Sequence, residues 1–407
     1  MKRAFFILFL CAVLCGCSKQ IEDQLHFNDI EKPFEATFQP DTVRTAGLDP
    51  SRLRTYFDPA GSSAEITDPE EYSFRVDELI RVEGTESGDA VRIRSFSAKP
   101  VLGVTLEVLL PDFGLYLPVA WIDSLPGFAQ FEFPASFTGR RLTWEREDGT
   151  FVSFHYPYFD AAKMKPRLRS DDPHLGMLQR IDARWDFRFS NYDWNGTNSS
   201  TWREMRPLYA REWVVIVTNY AYMMTTPEYC HVMENFGRIF GGELCDNERI
   251  PFTSEKYASE RERFLRPFSF VLGQSGEQVG GLGGGGVWGI TSWNFYGHYA
   301  SFSGWEAITH EFMHNMGYGH ASNMTYAVDG VGWTEFIWQL HLWLSRKGDL
   351  PYLDRNLLGF HKDGNAPYRD CEIREVFRDD AKLEQQIRSF YDKSKLVKYF
   401  KENPITE

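Results

Sequence analysis

His310, Glu311, His314 and His320 are the residues of this chain whose types and spacing point most directly to chemistry. They stand in the run His310-Glu311-Phe312-Met313-His314-Asn315-Met316-Gly317-Tyr318-Gly319-His320. Two histidines four apart project from one helical face, one turn from each other. Their nitrogens then reach a single ion, at about 2.0–2.1 Å for zinc. Glu311 sits beside the first histidine, where it can take a proton from a water on that ion without binding the ion itself. Gly317 adopts the left-handed conformation that ends a helix at no steric cost. The chain can then reverse and bring His320 back as third ligand. Three protein ligands leave a fourth position for water, as a catalytic rather than a structural zinc site requires. The competing reading is a core helix with two hydrogen-bonded histidines; the added Gly and His argue against it.

A helix must carry this run. Ser303 precedes Glu306 by three residues, the spacing of a capping box. Trp305, Ile308, Phe312 and Met316 then form one apolar stripe. The helix is therefore expected from about residue 304, apolar face inward. Upstream, the continuous apolar run 213–217 reads as a buried strand. Pro227–Phe240 has helical spacing at Cys230, Met233, Phe236 and Phe240, stopped by Gly241-Gly242. Residues 268–272 and 287–290 read as strands. The order strand, helix, strand, strand implies an α/β sheet. Between those last two strands, residues 280–286 hold six glycines but lack the Lys-Ser/Thr ending of a phosphate loop. They read as a flexible turn at a sheet edge, where another backbone approaches closely, or as a plain linker. Trp333–Lys347, stopped by Gly348, and residues 381–400 read as amphipathic helices.

Residues 35–165 have a different texture. The alternating runs 72–76, 90–95, 103–109 and 151–155 are bounded by Gly, Pro and Asp and imply a β-sandwich-like accessory domain. Asn195-Gly196 is a turn signal in the polar stretch that follows. The fold class expected is α+β: an accessory domain at 35–165, then a catalytic α/β domain with C-terminal helices at 166–407.

The run from His310 to His320 resembles the HExxHxxGxxH signature of the metzincins, which include the astacin, serralysin and matrixin families. The resemblance spans roughly residues 205–350 and implies a zinc-dependent peptidase acting on a peptide, protein or glycoprotein. Zn²⁺ would be the cofactor, His310, His314 and His320 the ligands, and Glu311 the general base. In those families a methionine lies on a tight turn beneath the metal, and Met324 is the only methionine after His320. Ser322-Asn323-Met324-Thr325-Tyr326 is similar to the Ser-x-Met-x-Tyr turn of astacins and serralysins, which implies that Tyr326 binds the resting metal or the transition state. Only three residues separate His320 from Met324, fewer than in the familiar families. Either the turn follows at once, or Met324 is ordinary core and the resemblance ends at His320. Ala321, after the third histidine, points to no familiar family. Substrate is expected to lie extended along an edge strand near residues 287–290. Other classes are a zinc-binding adhesion or glycan-binding lipoprotein without turnover, and a hydrolase of another bond such as a deacylase. An intact Glu311 argues against the pure binder. Of the other histidines, His298 could touch substrate but reads more simply as packing, His341 reads as structural, and His231 and His361 have no partner by spacing.

The formal net charge of −13 and the lack of a basic run argue against nucleic acid as a partner. Aromatic residues make up 16%, which suits either aromatic-lined surfaces or an aromatic core. Lys2 and Arg3 precede a short apolar segment and then Leu14-Cys15-Gly16-Cys17. This resembles a bacterial lipobox, which implies a signal peptide at 1–16, lipid on Cys17, a polar tether at 17–34 and an outer-membrane destination. Beyond the signal no stretch reaches 18 apolar residues, so the rest is expected to be soluble. Cys230, Cys245 and Cys371 would remain; Cys230 and Cys245 either pair across a short loop or stay separate thiols.

Overall fold

The computed structural model describes residues 36–405 except 59, 191–200, 277, 300, 356 and 359–379. The expected signal, tether and lipidated Cys17, the Asn195-Gly196 turn, His361 and Cys371 lie outside the described residues.

The chain is mixed α+β. Alternation along the sequence becomes alternation of burial in the N-terminal half, where every second residue of Ala90–Ser95 is buried. Leu53–Thr55, Ala129–Pro134, Ala90–Ser95 and Ile80–Gly84 pair in that order as one antiparallel sheet. A second four-stranded sheet runs Arg167–Arg169, Val101–Leu110, Leu115–Leu125, Asp41–Val43. A third joins Ala36–Thr37, Leu142–Glu145 and Phe151–Phe154. Side chains from all three, among them Ile93, Leu106, Leu117, Phe131, Leu142 and Phe154, share one core.

The expected run 72–76 behaves differently. Tyr72 ends the short helix Pro69–Tyr72, and only Phe74–Arg75 is strand. That strand pairs with Trp185–Phe189 in the C-terminal sheet, and Phe74 packs in the C-terminal core with Tyr56, Phe57 and Phe96. The two cores therefore interleave along the sequence between residues 56 and 128.

The C-terminal sheet has six strands, in the order Gly281–Gly284, Val287–Thr291, Phe268–Ser275, Trp185–Phe189, Phe74–Arg75, with Trp202–Arg203 also on Phe268–Ser275. Its three middle strands are parallel, and Gly281–Gly284 is an antiparallel edge. Residues 213–217 are a correction: they lie inside the helix Pro207–Met223 rather than in a strand. This helix is buried almost all round, so it shows no amphipathic period, and its Val-Val-Ile-Val run imitates a strand. Three helices, Pro207–Met223, Pro227–Phe240 and Ser254–Leu265, therefore stand between the strands Trp202–Arg203 and Phe268–Ser275 of this sheet. Pro227–Phe240 keeps its expected bounds and ends on left-handed Gly241. Trp333–Lys347 likewise ends on left-handed Gly348. The expected single helix 381–400 is two, Asp380–Lys393 and Lys395–Glu402, broken where Ser394 caps the second through Val397 N–H.

The aromatic content goes mainly to the core. Trp185, Trp213, Trp288, Trp305 and Trp333 are fully buried. Phe312 of the motif helix sits among Trp185, Tyr220 and Trp288, ring centroids 5.1, 4.9 and 5.2 Å away. Full burial of such a ring contributes roughly 1.5–3 kcal/mol and fixes the rotation of the helix that bears His310 and His314.

Candidate metal centre

The motif helix is Phe302–Asn315. The expected capping box does not form. Ser301 is the N-cap, so Ser303 lies two residues too deep, and its hydroxyl meets that of Ser301 at 2.7 Å. The C-terminus follows the expected stop. Gly317 is left-handed (φ +82°), its N–H donates to His314 O at 3.0 Å, and Tyr318 N–H donates to Met313 O at 3.0 Å. This crossed pair is a Schellman closure. Asn247 ties the reversed segment down, donating to Gly317 O at 3.0 Å and accepting from Gly319 N–H at 2.7 Å.

The reversal brings the three histidines together. His314 Nε2 lies 2.9 Å from His310 Nε2 and 3.0 Å from His320 Nε2. The outer nitrogens fix the tautomers: His310 Nδ1 lies 3.1 Å from Thr325 O, and His314 Nδ1 lies 2.8 Å from Tyr318 O. A carbonyl only accepts, so each Nδ1 carries the proton and each Nε2 presents a lone pair inward. Facing lone pairs at 2.9 Å repel unless a proton or a cation lies between them. These three imidazoles could hold one first-row transition ion. The carbonyls of Thr325 and Tyr318 are the outer partners such a site needs to orient its ligands.

Met324 and Tyr326 are part of the same structure. Ser322 and Thr325 close a turn, Thr325 N–H donating to Ser322 O at 3.3 Å. Ser322 Oγ accepts from Met324 N–H at 3.0 Å and donates to Cys245 O at 2.6 Å. Asn323 Oδ1 accepts from Cys245 N–H at 2.7 Å. Met324 is fully buried between the turn and the core. The next carbonyl, Thr325 O, orients His310, and the Tyr326 ring lies 4.3 Å from His310 and 5.3 Å from His320. Tyr326 itself is 46% exposed.

Glu311 is buried on the other side of the cluster, against the glycine-rich strand. Neither a flexible turn nor a linker, residues 281–284 form a strand at the sheet edge. A Cβ on Gly281 would lie 2.6 Å from Glu311 Cγ, and one on Gly283 would lie 2.7 Å from Glu311 Cα. Only glycine lets the edge strand and motif helix approach this closely. Asn315 ties the motif helix to the turn and inner strand that follow, accepting from Gly286 N–H and donating to Val287 O, both at 2.8 Å. Burial pushes the Glu311 carboxyl up to about 8 and holds the His310 imidazole down at about 4.

A cavity of about 600 Å³ opens over the cluster, lined by His310, Glu311, His314, His320, Tyr326 and the strand 281–283. Val279, Gly280, Trp293, Asn294, Ser303, Glu306 and Ala307 complete its wall. Ser303, Glu306 and Ala307 share the helical stripe of His310, Glu311 and His314, so spacing alone could have found them. Trp293 and Asn294 come from the helix Ser292–Gly297, which no sequence signal tied to the site. A larger cavity, about 720 Å³, lies between residues 75–83 and 161–179, away from the histidines.

His298, His341 and His231 make contacts away from the cluster. His298 is buried, its Nε2 2.6 Å from Glu212 Oε1, and does not line the cavity. His341 is buried and stacks on Trp338. His231 has a partner the spacing could not reveal, Tyr399 OH at 2.9 Å. Cys230 and Cys245 are separate free thiols, so the alternative of a disulfide between them is not realised. No protein-family model, curated protein or solved structure matches this chain, and its functional reading rests on the geometry of the site.

Proposed function

We propose that this protein is a zinc-dependent endopeptidase of metzincin type, anchored to the cell envelope by lipid on Cys17. The observation that carries the reading is the convergence of three histidine Nε2 atoms beside a buried glutamate, at the floor of a cavity open to substrate. Three further features support the metzincin type. The turn at residues 322–326 packs against the histidines, Met324 is buried, and an antiparallel edge strand flanks the motif helix. The shared core of the N-terminal sheets supports a β-sandwich-like accessory part.

The donor set of three neutral imidazoles and one open position suits zinc. Bound there by His310, His314 and His320, zinc supplies Lewis acidity that polarises the scissile carbonyl and acidifies water toward a pKa of ~7. The protein's own groups do the rest. The Glu311 carboxylate accepts the proton of the attacking water as its oxygen bonds to the carbonyl carbon. It then delivers that proton to the leaving nitrogen as the C–N bond breaks. Tyr326 OH donates a hydrogen bond to the oxyanion that develops between these steps. The backbone of Gly281–Gly284, the true edge of the sheet, holds the peptide extended in place of the inner strand 287–291.

The test is incubation of the soluble chain, begun after Cys17, with a diverse peptide library. Cleavage is expected in zinc, to stop with chelator and to return when zinc is restored. A chain that binds zinc yet leaves every peptide intact contradicts the reading. For the anchor, Cys17→Ser is expected to move the protein out of the membrane fraction; unchanged sedimentation with membranes contradicts lipidation.

A further inference from the structure

Glu306 was expected to close the capping box and does not. Its carboxylate instead lines the cavity one helical turn before His310, about 6 Å along the axis. It is half-buried, and among the described residues no hydrogen bond or ion pair neutralises it and no Lys or Arg lines the cavity. Burial, then the nearby Glu335 carboxylate, push its own carboxyl up. A half-buried carboxylate without a partner raises the free energy of the empty cavity, and an incoming cation removes that cost. Trp293, 37% exposed on the facing helix, adds an indole surface to the same wall. Carboxylate and indole together are the surroundings that a guanidinium or ammonium prefers. Ala307, next on the stripe, leaves room beside them.

We propose that Glu306 is a specificity-determining residue that receives a cationic group of the substrate, one helical turn from the histidine cluster. The inference rests on the reading of this cavity as a peptide site. A neutral substrate group leaves the carboxylate unpaired, so the pocket discriminates by what it rejects as well as by what it binds.

The experiment uses two N-acetylated dodecapeptides, labelled at the C-terminus and identical except for one Arg or its neutral isostere citrulline. Binding is read by fluorescence anisotropy on the metal-free chain, and kcat/KM on the zinc-loaded chain. The wild type is expected to bind the Arg peptide about tenfold more tightly. Glu306→Gln should bring the two within about twofold with an unchanged circular dichroism spectrum. Glu306→Lys should favour a Glu-containing peptide instead. Equal binding of the Arg and citrulline peptides by the wild type, with no Glu306-dependent binding of a free N-terminus either, or an Arg preference that survives Glu306→Gln, overturns the inference. If an Arg-free peptide binds through its free N-terminus, and acetylation and Glu306→Gln each abolish that binding, the pocket stands with an α-ammonium as its cation. The two readings fail separately. A Glu306-dependent preference without any cleavage sinks the peptidase and keeps the pocket; cleavage without preference does the reverse.

Discussion

At the scale of single residues, the proposed mechanism divides the labour between groups that would hold the ion and groups that would move charge. His320 comes from the loop after the reversal and is exposed, whereas His310 and His314 ride on a packed helix. Removing His320 therefore leaves two positioned ligands. His320→Ala is expected to weaken zinc affinity and abolish turnover; unchanged affinity in a competition titration would show that it is not a ligand. Tyr326 poses a subtler question, since its ring lies against His310 and the residue lines the cavity. Loss of one oxyanion donor costs roughly 10²–10³ in rate in a well-studied hydrolase. In the proposed mechanism a metal would share that load, so Tyr326→Phe is expected to lower kcat and kcat/KM together by about 10², with KM and zinc content unchanged. A kinetically silent Tyr326→Phe removes it from the mechanism. The four residues His310, Glu311, His314 and His320 were legible because each was fixed by local helical spacing and one glycine. The Met324-Tyr326 turn was legible only as an alternative, because its role depends on contacts to Cys245, about 80 residues upstream.

At the scale of elements, the precision of the site comes from the contact between the glycine strand and the motif helix. Gly283→Ala forces a methyl into the Glu311 backbone. Overpacking of this kind costs typically 1–3 kcal/mol, and the displaced helix should lose activity beyond what the stability loss explains. Denaturant unfolding with parallel activity assays checks this; an alanine variant of native stability and turnover refutes the contact. The same strand shows where sequence reading stops. Six glycines carry no strand preference, and what selects Gly281 and Gly283 is Glu311, far later in the chain. Residues 213–217 mislead for the opposite reason: complete burial erases the helical period that would have identified them. Elements with a solvent face, Pro227–Phe240 and Trp333–Lys347, kept both period and stop signal, and their bounds were legible. The break at Ser394 was missed because an N-cap inside a continuous amphipathic pattern looks like one more polar residue.

At the scale of the whole molecule, the two cores are joined by a buried polar seam. His174 Nε2 lies 3.0 Å from Ser97 Oγ, Tyr352 OH accepts from Ala98 N–H at 2.9 Å, and Asn219 Nδ2 donates to Tyr352 O at 2.8 Å. Burial, aided by Lys99 and opposed by Asp172, lowers the His174 pKa to about 3 from its ordinary value of 6.5. The unfolded chain therefore binds a proton that the folded chain refuses between those values. Stability from this group is complete above pH ~6.5 and is lost as pH falls toward 3, by at most about 1.4 kcal/mol per unit. His174→Gln keeps a hydrogen-bonding side chain at Ser97 without the titration, so its stability should decline less steeply from pH 6.5 to 4. An unchanged slope in pH-dependent unfolding would place the acid sensitivity elsewhere. A change of texture was legible along the chain, but the interleaving of the two cores was not, nor was the seam, since it links residues 97, 174, 219 and 352.

The central claim is that Glu311 acts as a base beside a zinc ion it does not bind. The direct measurement compares wild type with Glu311→Gln for zinc content by elemental analysis and for cleavage of a peptide that the wild type cuts. Glutamine keeps the shape of the side chain against Gly281 and Gly283 and removes its capacity to take a proton. The account predicts one zinc per chain in both proteins and no detectable cleavage by Glu311→Gln. Near-normal turnover by a zinc-loaded Glu311→Gln chain, or a wild-type chain that binds no zinc, would contradict it.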